Sequence, residues 1–132
     1  MHDWTSLLLE PATIRTIFTH ATPSLAGVDL HEITLHRDGP DATLRFDLAA
    51  YPEVPPPKWQ TQGFNRVQVQ LSLPGLSKAS IEGWTVRCLI DLHLEKLGGK
   101  VQLSGANADV AFTFVADFVQ VRRISAYLDG RL

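Results

Sequence analysis

Histidine, carboxylate, serine and cysteine side chains carry whatever chemistry this chain can perform, and their spacing decides which chemistry is available. The chain holds five histidines and one cysteine. Asp29 and His31 share one face of a strand at period two, and His36 falls on the opposite face of that strand. Asp91, His93 and Glu95 form the best local set of metal ligands. A catalytic zinc needs about three converging ligands. Residues at i, i+2 and i+4 of one strand spread over about 13 Å, so three of them cannot meet at one ion without a partner strand. The expectation is an outward polar face, no metal and no cofactor.

Nucleophilic catalysis finds no better support. No serine lies in a Gly-x-Ser-x-Gly context. Cys88 and His93, five residues apart, fall on opposite strand faces. Cys88 sits in an alternating apolar run and reads as a small buried hydrophobe. No Gly-x-Gly-x-x-Gly or phosphate loop occurs, and Gly98-Gly99 is a hairpin signal. Asp47, Asp91 and Asp117 are candidates for acid/base work, but the sequence pairs none of them. The chain is therefore expected not to be an enzyme.

What remains is a binding surface. Trp59 follows a wall of four prolines (Pro52, Pro55, Pro56 and Pro57), where a large amphipathic ring either packs or meets a partner. Trp84 follows a glycine at a strand end and is expected to cap one end of the core. Asn65 is expected to set a turn through its amide. Asp38, Asp41 and, across the loop, Glu53 form an acidic group suited to a cationic partner or to a solvated edge. Trp59, Glu53 and Asp41 are the candidate partner-binding residues.

The elements that hold these residues are mostly strands. Pro11 suits the first position of a helix, Ile14, Ile17 and Phe18 make an apolar stripe, and Thr22-Pro23 ends it. That predicts one substantial helix of roughly ten residues. From Val28 the period becomes two, with a hairpin turn at Asp38-Gly39-Pro40-Asp41 between alternating runs. The proline wall reads as an extended surface connection, with Gln62-Gly63-Phe64-Asn65 as a turn. Strands follow over Arg66–Leu73, over Ala79–Thr85 with a kink at Gly83, and from Val86 to Glu95. Leu97–Lys100 turns into a strand at Val101 and Leu103, and further strands carry Val110–Phe114, Val119–Val121 and Ile124–Leu128. With no helices for parallel crossovers, the fold is expected to be α+β and mostly β: a twisted antiparallel sheet, or a two-sheet sandwich, of about eight strands with one amino-terminal helix.

A chain of 132 residues that is 45% hydrophobic and 20% charged has the composition of a globular protein and the length of one domain, residues 1–132. A net charge of −2 without basic runs argues against nucleic-acid binding. No apolar run reaches the length of a membrane span, and Met1-His2-Asp3-Trp4 does not open a secretory signal. A soluble cytoplasmic protein is expected, with no membrane partner.

Pro56-Pro57-Lys58-Trp59, then Asn65-Arg66-Val67 opening an alternating strand, then Gly83-Trp84, resemble the immunity protein 50 family of bacterial polymorphic toxin systems. The Ala116-Asp117 turn followed by Val121 and Ile124-Ser125-Ala126-Tyr127 is similar to that family's carboxy-terminal end. So are the amino-terminal tryptophan and the short helix with Pro23-Ser24-Leu25 behind it. The resemblance implies a non-catalytic antidote whose partner is a cognate toxin domain, and it brings no catalytic residues. A small-ligand or carbohydrate-binding β module, with tryptophans stacked on the ligand, is the alternative.

Overall fold

The computed structural model describes residues 3–130, and Met1, His2, Arg131 and Leu132 lie outside the described residues. Eight strands make one antiparallel sheet: β1 (Val28–His36), β2 (Asp41–Asp47), β3 (Arg66–Pro74), β4 (Lys78–Glu82), β5 (Cys88–Leu97), β6 (Lys100–Ala106), β7 (Ala111–Ala116) and β8 (Gln120–Tyr127). Their order across the sheet is β4-β7-β6-β5-β1-β2-β3-β8. The mostly-β antiparallel class read from the alternation is the class observed.

The sheet has two halves joined by a narrow seam. β1 meets β5 through only Val28↔Ile90, Asp29↔Leu89 and Leu30↔Cys88. Short links then force the halves toward each other. Only Gly75, Leu76 and Ser77 connect β3 to β4, which stand six places apart in the order. In a flat sheet those strands would be about 29 Å apart, whereas such a link spans about 14 Å at most. The sheet is therefore rolled, and the ends meet where Asp117 and Phe118 donate backbone hydrogen bonds to the Pro74 carbonyl (3.1 and 3.3 Å).

The core fills the inside of this roll. Leu44, Phe46, Val67, Val69, Leu71 and Leu73 come from one half, and Ile90, Leu94, Leu103 and Phe114 from the other, all 2% exposed or less. Gly105 belongs to the same packing. A Cβ there would stand 2.8 Å from Phe112 Cζ, so the missing side chain makes room for the ring. Cys88 is buried, as expected, and burial pushes its thiol pKa up.

Three local expectations are corrected. The amino-terminal helix, α1, is only Ala12–Arg15, although Ile14 and Phe18 are buried as the stripe predicts. The β-branched run Thr13, Ile14, Thr16 and Ile17 explains its shortness, since such side chains lose rotamer freedom in a helix. A 3-10 turn over Trp4–Leu7 precedes it. A second helix, α2 (Pro57–Gln62), stands where an extended connection and a turn were expected. Pro57 takes the first helical turn, and Gly63 ends the helix at φ +66°, in the left-handed conformation glycine adopts without strain. Finally, β4 stops at Glu82, short of Thr85, because Gly83 turns the chain out of the sheet at φ +77°. No described helix is long and apolar enough to cross a membrane.

Candidate functional site

The polar face of the first half, turned away from the core, carries a cluster that no single strand could build. Asp29 and Asp47 are cross-strand partners on β1 and β2, and Gln68 on β3 stands opposite Asp47. Asp47 is fully buried, yet its carboxylate is well partnered. Its Oδ2 lies 3.0 Å from His31 Nε2 and accepts the Tyr127 hydroxyl, while its Oδ1 accepts from Gln68 Nε2 at 3.1 Å. A buried carboxylate without such donors would be costly. Burial first, and then the bond to Asp47 and its charge, push the Tyr127 hydroxyl pKa up to about 12. Arg45 Nη1 donates to Gln68 Oε1 at 3.4 Å and extends the network outward.

Two bulges shape this face, and the second brings Tyr127 onto it. The β1–β2 register shifts between Leu30 and Glu32, leaving His31 as an extra residue beside Arg45. The β3–β8 register shifts between Gln70 and Leu71, leaving Arg122 unpaired in the same way. An extra residue reverses the side-chain parity beyond it. His36, expected opposite Asp29, therefore shares its face, paired with Asp41. Tyr127 is turned outward by the same effect, while Ile124 packs against the core. The sequence carries a trace of both shifts. Apolar positions on the inner face run Val28, Leu30 and then Ile33, Leu35 on one strand, and Val119, Val121 and then Ile124, Ala126 on the other.

The residues expected to meet a partner do not form one group. Asp41 opens β2, whereas Glu53 and Trp59 lie beyond the far end of that strand, roughly 20 Å along it. Glu53 is exposed. The Trp59 ring is partly buried, packs against the core and stands 6.2 Å from the Tyr51 ring. Asp41 is half-buried, and its Oδ1 makes no hydrogen bond among the described residues. Trp84, expected to cap the core, is 51% exposed, near exposed Ile81 and Val86 in sequence. Asn65 does more than set a turn. Its amide receives the Asp129 N–H at 2.8 Å and donates to the Asp129 carbonyl at 3.1 Å, which ties the carboxy-terminal segment to the start of β3.

Asp91, His93 and Glu95 do not converge. They alternate along β5 on its exposed face, where Asp91 accepts the Gly27 N–H at 2.8 Å. They do line a cleft of about 620 Å³ between β5 and the Thr22–Ala26 segment, floored by Trp4. Its size suits a small ligand, but neither Trp59 nor Trp84 lines it. The three ligand-type residues that do converge are Asp29, His31 and Asp47, with donor atoms within 4.8 Å of one another. Sequence reasoning paired the first two and missed the third, because Asp47 arrives from the neighbouring strand. No serine or cysteine bonds to His31 among the described residues, so the cluster has no nucleophile beside its histidine.

Comparison with curated proteins and with solved structures finds no match. The immunity protein 50 family model, in contrast, matches residues 10–127, which include both bulges, α2 and Asn65. The chain belongs to the immunity protein 50 family.

Proposed function

We propose that this protein is a non-catalytic antidote that binds one cognate bacterial toxin domain in the cytoplasm and blocks it. The observation that carries the reading is membership of the immunity protein 50 family over nearly the whole chain. The scaffold is compatible with it, since the network around Asp47 braces the fold and presents no nucleophile.

Contact with the toxin centres on the loop between β2 and β3. Glu53, exposed there, is a charged anchor for a cationic surface, and Trp59 offers a partly exposed ring held in place by Tyr51. Asp41 serves a second contact at the opposite end of β2. Interfaces of this kind draw most of their energy from a few aromatic and charged anchors. The test is titration calorimetry of the purified protein against the toxin domain encoded beside it. A 1:1 complex is expected, with Trp59→Ala weakening it about 30-fold or more and Glu53→Ala mainly slowing association. Unchanged affinity in Trp59→Ala, Glu53→Ala and Asp41→Ala, each still folded by circular dichroism, would remove these residues from the interface. Absence of any complex would refute the antidote reading itself.

A further inference from the structure

We propose that Asp29, His31 and Asp47 form a binding site for a divalent transition-metal ion of the zinc type. The inference stands apart from the antidote reading and rests on the cluster's own charge and geometry.

Three observations carry it. First, the charges do not balance. Two carboxylates face one imidazole, so the group is net negative whichever protonation state His31 adopts. Two arginines on this face are engaged elsewhere: Arg45 with Glu32 at 3.8 Å, and Arg66 with Asp129 at 3.6 Å and the Leu48 carbonyl at 3.3 Å. Second, Asp29 has no hydrogen-bond donor. The residue is 7% exposed, yet among the described residues its carboxylate accepts no hydrogen bond, and His31 Nε2 stands 3.8 Å away, beyond bonding reach. The ion pair with His31 at 3.8 Å is its one charged contact among the described residues, and a cation between the two would bind both. Third, pairing brings the donors together. Asp29 stands opposite Asp47 on the neighbouring strand, and His31, two residues along β1, falls on the same face by strand alternation.

The geometry fits a small ion. A metal about 2.1 Å from each of three donors holds them roughly 3.0–3.5 Å apart. The donors here already lie within 4.8 Å, so modest side-chain rotation closes the site. One imidazole nitrogen with two carboxylate oxygens favours zinc or manganese over calcium, which takes six to eight oxygens. Gln68 and Tyr127, already bonded to Asp47, become the outer partners that orient that ligand. The His31 side chain is 29% exposed, which leaves a solvent path and an open coordination position.

The experiment is titration calorimetry of chelator-stripped, full-length protein with Zn²⁺, repeated with Mg²⁺, and with Co²⁺ followed by its visible absorption. Expected are one Zn²⁺ per chain, little binding of Mg²⁺, and cobalt bands of an ordered nitrogen/oxygen site. Asp29→Asn and His31→Ala should each abolish the 1:1 binding, Tyr127→Phe should weaken it about tenfold, and His93→Ala should leave it unchanged. His31 is partly solvent-facing, so its variant tests the site without threatening the core. Absence of 1:1 zinc binding at micromolar free metal would overturn the proposal. So would binding that survives in both Asp29→Asn and His31→Ala, since the ion would then sit elsewhere.

Discussion

The half of the sheet built from β5, β6, β7 and β4 keeps its register from end to end, whereas the half built from β1, β2, β3 and β8 breaks register twice. Both halves bury an aliphatic and aromatic inner face. Their other faces differ. On β5, Asp91, His93 and Glu95 stand exposed in regular alternation. On β1 and β2, Asp29 and Asp47 are buried on the polar face, beside His31 at one bulge and Tyr127 turned outward by the other. Regular pairing makes a scaffold with a solvated exterior. Irregular pairing lets side chains of distant strands converge, and polar groups in that setting need partners.

Phe46→Ala and Phe114→Ala remove fully buried rings from opposite halves. Each should cost about 3–5 kcal/mol. If the two halves fold as one domain, urea unfolding should show one transition in both variants, with fluorescence and circular dichroism coinciding. Separate transitions would mean that the seam at Val28–Leu30 divides the protein.

Next comes the contrast between the polar faces. Asp47→Ala strands the Tyr127 hydroxyl and the Gln68 amide, and it should cost about 1–3 kcal/mol. Thr113→Ala, on the polar face of the regular half, should stay within about 0.5 kcal/mol. Equal losses would erase the distinction between the two faces. Asn65→Ala removes both bonds to Asp129 and should cost about 1–2 kcal/mol. Proteolysis of the carboxy-terminal segment should quicken in that variant.

A pH measurement sharpens the same contrast. The Tyr127 pKa is raised in the folded state to about 12, above the ordinary tyrosine value of 10. Its contribution to stability is therefore complete below pH 10 and is lost as pH rises toward 12. Chemical denaturation across that window should show a decline in the parent protein that is shallower in Tyr127→Phe. A parallel decline in both would remove Tyr127 from the account. The smallest effect is expected at the surface: Trp84→Ala should change stability by no more than about 0.5 kcal/mol, since the ring is half exposed.

The regular half was largely legible from the amino acids, because strict alternation from Cys88 to Leu94 and the turn at Gly98-Gly99 leave one register open. The irregular half was legible only in part. Its strands were visible, but parity was carried past His31 as though no residue were extra, which put His36 on the wrong face, and β8 was read as two segments, Val119–Val121 and Ile124–Leu128. The switch from Leu30 to Ile33 was the available signal. Helix α2 was hidden by its prolines, although Pro57 ahead of Gly63 is the usual start and stop of a short helix. The pairing of Asn65 with Asp129, and of Asp47 with Tyr127, spans 64 and 80 residues of chain. No local pattern encodes such contacts, since they arise only when β8 closes beside β3.

Co-expression tests the proposed antidote function most directly. Cells induced for the neighbouring toxin domain should stop growing alone and recover when this protein is expressed with it. Continued killing in the presence of abundant, folded protein would contradict the account.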